Sequence, residues 1–171
     1  MQSAEKSDYA SHVQALFSVS LSQVGEKMRK LAEYTVIFVF GGLCYGFIEI
    51  MNRGFSHITM GILGGASMCV IHALNTERRK GMNMWLIMLI SSVFITSVEF
   101  ISGEFLNMYL GMNIWNYSDI PLNIDGQICL PFVGIWFILS FVGLTADDFI
   151  RYKIFKEPKN FNYFGKQNVT A

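Results

Sequence analysis

Four stretches of the chain are apolar almost without interruption: residues 35–54 (TVIFVFGGLCYGFIEIMNRG), 57–75 (HITMGILGGASMCVIHALN), 82–101 (MNMWLIMLISSVFITSVEFI) and 128–146 (ICLPFVGIWFILSFVGLTA). Each approaches the roughly 20 residues that a helix needs to cross a hydrocarbon core of about 30 Å. Core helices of soluble bundles keep a polar stripe, which these segments lack. The pattern therefore predicts an all-α, polytopic membrane protein with four transmembrane helices. Residues 1–34 read differently. Val13, Phe17, Leu21, Val24, Met28 and Leu31 recur every three or four positions among polar neighbours, which predicts an amphipathic helix. Such a helix lies on a leaflet, packs on its own domain or pairs with another chain. Its intervening positions lack the charge pattern of a committed coiled coil. No small-residue cleavage site stands in the usual place, so the first span reads as retained.

Composition agrees with a bilayer as solvent, at 52% hydrophobic and 15% charged residues with a formal net charge of zero. The placement of the charges predicts the topology. Lys27, Arg29 and Lys30 precede the first span, Arg78, Arg79 and Lys80 separate the second from the third, and Arg151, Lys153, Lys156, Lys159 and Lys166 follow the fourth. Residues 102–127 contain no Lys or Arg. The positive-inside rule then puts both termini in the cytoplasm, and the 52–57 turn and the long 102–127 loop outside. The organisation expected is a cytoplasmic leader (1–34), a transmembrane domain (35–150) and a basic cytoplasmic tail (151–171) that touches anionic lipid. Cys44, Cys69 and Cys129 form no Cys-x-x-Cys pair and read as small buried hydrophobes. His57 and His72 stand at opposite ends of the second span and read as interfacial. No phosphate-binding loop, HExxH or GxSxG is present, so neither catalysis, ATPase activity nor a cofactor is indicated. Nothing points to nucleic acid.

Arg53 is the one basic residue that this topology places outside, and it has company. Gly42, Gly46, Glu49 and Arg53 fall on one helical stripe, so Glu49 and Arg53 can pair at i,i+4 while the glycines admit a neighbouring helix. The second span opens with Gly61 and Gly65 at the same spacing, which predicts that these two helices meet along flat faces. On the third span Ser92, Thr96, Glu99 and Gly103 share a stripe, and Glu99 arrives at a depth similar to that of Glu49. A lone carboxylate in a bilayer costs at least about 2.5 kcal/mol, so each acid must be paired, protonated or wetted. Two glutamates and one arginine leave one negative charge over. Either Arg53 bridges Glu49 and Glu99 to lock the first and third spans, or the surplus acid, with Glu104 and Asn107 above it, binds a cation, a proton or a polar solute. The loop MNIWNYSDIPLNIDGQICLPF contains Trp115, Asn116, Tyr117, Ser118 and Asp119. It is long for a connector, its aromatics suit a membrane interface, and it can fold over the charged group as a lid.

The segments YGFIEIMNRGF (45–55) and EFISGEFLNMYLGMNIWNYSDIPLNIDGQICLPFVGIWF (99–137) resemble the small bacterial membrane proteins of the ABC-transporter type IV family, also called CmpB-like permeases. The matching positions are Glu49, Asn52, Arg53, Gly54, Glu99, Asn107, Gly111, Trp115, Asn116, Tyr117, Ser118, Gly126, Cys129 and Leu130. The resemblance spans about residues 35–150. Asn116 replaces an Asp common in the pattern, and SHITMG after Phe55 lacks its Gly-Pro-rich turn. What the resemblance implies is a permease-like subunit of the bacterial cytoplasmic membrane, driven by a separate cytoplasmic ATPase. Four helices leave little room for a path in one copy, so a homo-oligomer is expected. Two other readings stay open: a non-transporting scaffold or accessory protein that recruits a cytoplasmic partner, and a membrane-embedded lipid-modifying enzyme. The last would use Glu49 or Glu99 as general base and Arg53 as a phosphate clamp.

Overall fold

A computed structural model describes residues 2–161 and 163, without the side chains of 2–13, 15 and 52. The side chains of Lys6, Val13 and Asn52, and the tail from residue 164 with Lys166, lie outside the described parts. The elements are α1 (Gln2–Arg53), α2 (Ile58–Arg79), α3 (Met84–Gly103), a π-helical stretch (Glu104–Tyr109), β1 (Asn123–Ile124), β2 (Ile128–Cys129) and α4 (Leu130–Lys153). The chain is about 75% helical. The segments Leu16–Met51, Ile58–Arg79, Met84–Tyr109 and Leu130–Lys153 are long and apolar enough to cross a membrane.

The chain divides into two compact units, residues 1–36 and 37–171. The residues read as the leader are helical and fall within α1, Gln2–Arg53. No proline or glycine interrupts residues 26–40, and the Glu, Lys, Arg, Leu and Ala there are good helix formers. Arg29 Nε also donates to Glu33 Oε1 at 3.0 Å, one turn on. Phe17, Leu21, Val24, Met28 and Leu31 are all exposed and form an apolar stripe.

In the second unit, turn chemistry sets the helix ends. Gly54 (φ 81°) closes α1 in the left-handed conformation, its N–H donating to Ile50 O at 2.8 Å. His57 Nδ1 then caps α2 by accepting from Thr59 N. Gly81 (φ 113°) ends α2, with Gly81 N bonded to Arg78 O and Met82 N to Glu77 O, the paired bonds of a Schellman turn. Asn83 caps α3 through bonds from Trp85 N and Leu86 N. Pro131 in the first turn of α4 gives up an N–H that had no helical partner anyway.

Small residues bring the helices together. A Cβ on Gly42 would lie 2.7 Å from Gly61 O, and one on Gly41 would lie 2.3 Å from Met68 Cβ. Gly64 would meet Tyr45 Cβ at 2.4 Å, and Gly65 would meet Phe38 O at 2.7 Å. Gly41 and Gly64 thus carry the α1–α2 approach together with the expected Gly42, Gly61 and Gly65, whereas Gly46 faces only Ser56 Oγ at 3.7 Å. Ser92 Oγ donates to Val133 O at 2.8 Å and ties α3 to α4, and Ser140, Ile87 and Leu144 on the same two helices are buried. Cys129 is buried, but Cys44 is exposed and Cys69 half-buried.

Two boundaries depart from the hydropathy reading. The segment after residue 101 begins as helix, because the π-helical stretch prolongs α3 and turns Asn107 inward. At the other side, α4 runs past residue 146 to Lys153, because Asp147, Asp148 and Arg151 find partners across the bundle.

Candidate functional site

At the end of the second unit that carries the 110–129 loop, a cavity of about 350 Å³ opens between α1, α4 and that loop. Tyr45, Ile48, Glu49 and Arg53 come from α1, Trp115 and Tyr117 from the loop, and Phe132, Ile135, Trp136 and Leu139 from α4. One wall is a series of rings: Tyr117 stacks on Phe132 at 4.7 Å, Phe132 tilts against Trp136 at 6.4 Å, and Trp136 stacks on Tyr45 at 5.8 Å.

Glu49 and Arg53 do pair, Oε1 to Nη2 at 2.5 Å. Glu49 Oε2 accepts from Ser56 Oγ at 2.6 Å, and Arg53 Nη1 donates to the carbonyl of Ile114. Arg53 also lies over the Phe55 ring at 4.7 Å, while its buried Nε has no partner among the described residues. Of the two readings left open, the bridge from Arg53 to Glu99 is not made among the described residues. Glu99, 4% exposed, instead accepts from Tyr117 Oη and from Trp136 Nε1, each at 2.9 Å. Both partners are neutral donors and both carboxylate oxygens accept, an arrangement that suits the ionised acid. The loop and α4 therefore satisfy Glu99 before Arg53 can reach it. Tyr117, outside the spans, has its phenol pushed well above the ordinary range by burial and then by the Glu99 charge.

The other candidate residues have different work. Asn107 donates to Trp115 O at 3.0 Å and to Gln127 Oε1 at 2.8 Å, and accepts from Ile114 N at 2.7 Å. It pins the loop and has little left for a solute. Glu104 lies outside the cavity lining, its Oε1 buried without a hydrogen bond among the described residues. Asn116 Oδ1 accepts from Ser118 N and Oγ, and a Cβ at Gly126 (φ 67°) would strike both side chains, at 2.7 and 2.5 Å. Asn116, Ser118 and Gly126 thus shape the turn that presents Tyr117, whose N–H donates to Gly126 O at 2.7 Å. Asp119 is exposed and lines nothing here.

Sequence reasoning missed a second polar assembly at the opposite end of α2 and α4. Asp147 and Asp148 are 0% exposed, as is Asn75, and Arg78 is 1% exposed. Asp148 receives Arg78 Nη2 at 2.6 Å, Arg79 Nη2 at 3.0 Å and Asn75 Nδ2 at 3.0 Å. Asp147 receives Arg151 Nε at 2.8 Å, Asn75 Nδ2 at 2.7 Å and the His72 ring at 2.6 Å. The tail returns to this cluster: Glu157 takes Arg79 Nη1 at 2.6 Å, Asn160 O takes Arg78 Nη2 at 3.0 Å, and the Tyr163 ring lies 4.9 Å from the Arg78 guanidinium. His72 is therefore a buried network member, and Arg78, Arg79 and Arg151, read above for their place in the topology, also form ion pairs here. The signal was available: His72, Asn75, Arg78 and Arg79 share a face of α2, and Asp147 and Arg151 are one turn apart on α4.

A family model described as "Putative ABC-transporter type IV" matches residues 34–164, more than half of the chain. The chain belongs to this family. No curated protein and no solved structure matches it. The ABC-transporter type IV match takes in α1 from residue 34 onward, both polar assemblies and the cavity, and with the four apolar helices it makes the chain a membrane protein of a transporter-type family.

Proposed function

We propose that the chain is the permease-like membrane subunit of a transporter, with its solute site in the 350 Å³ cavity at the loop end. The observation that carries this reading is Glu99: a buried carboxylate whose partners among the described residues are neutral donors, directly behind the cavity wall. Intramembrane ionisable groups without a counter-charge are costly, and their usual occupation is a solute or ion path. The basic residues at the other end favour a topology with the loop outside and both termini in the cytoplasm. An ATPase subunit would then dock at the end that carries the α2–α3 turn with exposed Lys80. The experiment is affinity purification from native membranes in mild detergent, followed by mass spectrometry and by solute flux in vesicles. A nucleotide-binding subunit should co-purify, and Glu99→Gln should abolish flux while the protein still inserts. Unchanged flux in Glu99→Gln would remove the site assignment.

A second reading, a non-transporting scaffold, draws on the exposed stripe Phe17, Leu21, Val24, Met28 and Leu31. Deletion of residues 1–30 would then abolish capture of a partner or of a second copy. Retained capture would count against it.

A further inference from the structure

The loop-end cavity combines two features that select the same chemistry. Its wall is the ring series Tyr117, Phe132, Trp136 and Tyr45. Behind that wall, Tyr117 Oη and Trp136 Nε1 both donate to Glu99. A ring whose O–H or N–H is given to a carboxylate carries more negative charge on its face, because hydrogen-bonded groups polarise one another. Aromatic faces attract cations, most strongly where water is displaced. The field of Glu99 adds to this, since no arginine or lysine among the described residues pairs with it and the surrounding medium screens poorly. Glu49 and Arg53 also line the cavity but largely cancel each other, and Arg53 is further engaged by the Ile114 carbonyl and the Phe55 face. With Glu99 in the ionised form that the two hydrogen bonds donated to it favour, the net charge at the wall is negative and the surface is apolar. A metal ion is poorly served there, since each oxygen of Glu49 and Glu99 already accepts a hydrogen bond and no group of three or more His, Cys, Asp or Glu ligands forms among the described residues. An organic cation needs none.

We propose that the cavity is an organic-ammonium site, in which a quaternary or protonated amine sits against the aromatic wall with Glu99 as its buried counter-charge. This rests on the reading of the cavity as the solute site and supplies the solute class. The same ammonium chemistry is offered by a free small amine and by the headgroup of an amine-bearing lipid.

The test is binding to the full chain in a sugar-based detergent without amine lipids. Trp85→Phe removes the one tryptophan of the three that lies outside the cavity lining, so that Trp115 and Trp136 report. The probes are choline, its uncharged carbon isostere dimethylbutanol, and a short-chain phosphatidylcholine. Choline should give a saturable fluorescence change, with dimethylbutanol at least roughly tenfold weaker, and Glu99→Gln should bring choline down to the level of the alcohol. A response to the short-chain lipid with none to free choline would keep the ammonium assignment and identify a headgroup as its source. Equal binding of choline and dimethylbutanol by the wild type would overturn the proposal, as would no saturable response to any probe. The comparison of isosteres needs no variant at Glu99. Failure here would also leave the co-purification of an ATPase as a separate readout of the transporter reading.

Discussion

Replacing Asp148 by Asn changes almost nothing in shape and removes one charge from the interior. In the native chain its carboxylate meets Arg78 at 2.6 Å and Arg79 at 3.0 Å with no solvent exposure. After Asp148→Asn, Arg79 keeps Glu157 at 2.6 Å, so the loss falls on Arg78, which is 1% exposed. Taking one partner from a buried ion pair costs about 3–5 kcal/mol, because the remaining charge stays desolvated. Arg78 retains neutral acceptors, Asn75 Oδ1 and Asn160 O among them, which favours the lower end, about 3 kcal/mol. For a chain of this size that corresponds to a fall in melting temperature of roughly 6–12 °C. The chain carries its own probe: Cys129 is buried, so a thiol-reactive dye in detergent reports unfolding above the baseline set by exposed Cys44. The double variant Arg78→Leu with Asp148→Leu should be more stable than Asp148→Asn alone, because removing both charges removes their desolvation cost as well. A melting temperature for Asp148→Asn within about 2 °C of wild type would refute the reasoning. So would a double variant that loses the sum of its single losses.

Other consequences can be measured in the same preparation. Gly64→Ala places a methyl 2.4 Å from Tyr45 Cβ, so Tyr45 must shift and disturb its stacking on Trp136; a loss of about 1–3 kcal/mol and an altered tryptophan spectrum are expected. Asn107→Ala removes the pin of the loop and leaves Ile114 N and Trp115 O without their side-chain partner, so amide exchange should rise at residues 110–129 while α2 stays protected. The phenols of Tyr117 and Tyr163 are both raised above the ordinary value of 10.0, first by burial and then by Glu99 and Asp148 respectively. The fold therefore favours their protonated forms: their contribution is fully present below about pH 10 and is lost as the pH rises further, a slope that Tyr117→Phe should reduce in alkaline melts.

The four spans were legible because the penalty for an unsatisfied backbone in hydrocarbon makes long apolar runs nearly unambiguous. The Glu49–Arg53 pair was legible for a local reason, the i,i+4 spacing on one helix. Glu99 was found but its partners were not. Tyr117 reaches it from across a loop whose course depends on Asn107 and Gly126, and Trp136 reaches it through the rotation of α4, neither of which is a local property of the chain. The Asp147–Asp148 assembly went unread for the opposite reason. Charges at the end of an apolar run have a sufficient explanation in topology, and nothing in that explanation asks whether they also face one another.

Arg78 and Asp148 stand 70 residues apart. During synthesis at about 5–20 residues per second, α2 is complete roughly 4–14 s before its acidic partners leave the ribosome. In that interval Arg78 and Arg79 are unneutralised cations at the end of a newly inserted hairpin, which is the condition under which basic residues hold a helix end on one side of the membrane. When α4 arrives in the right direction, Asp147 and Asp148 convert that tether into an interior ion pair; if α4 fails to insert, the arginines stay bare. The cluster thus ties the neutralisation of the α2 end to the arrival of α4.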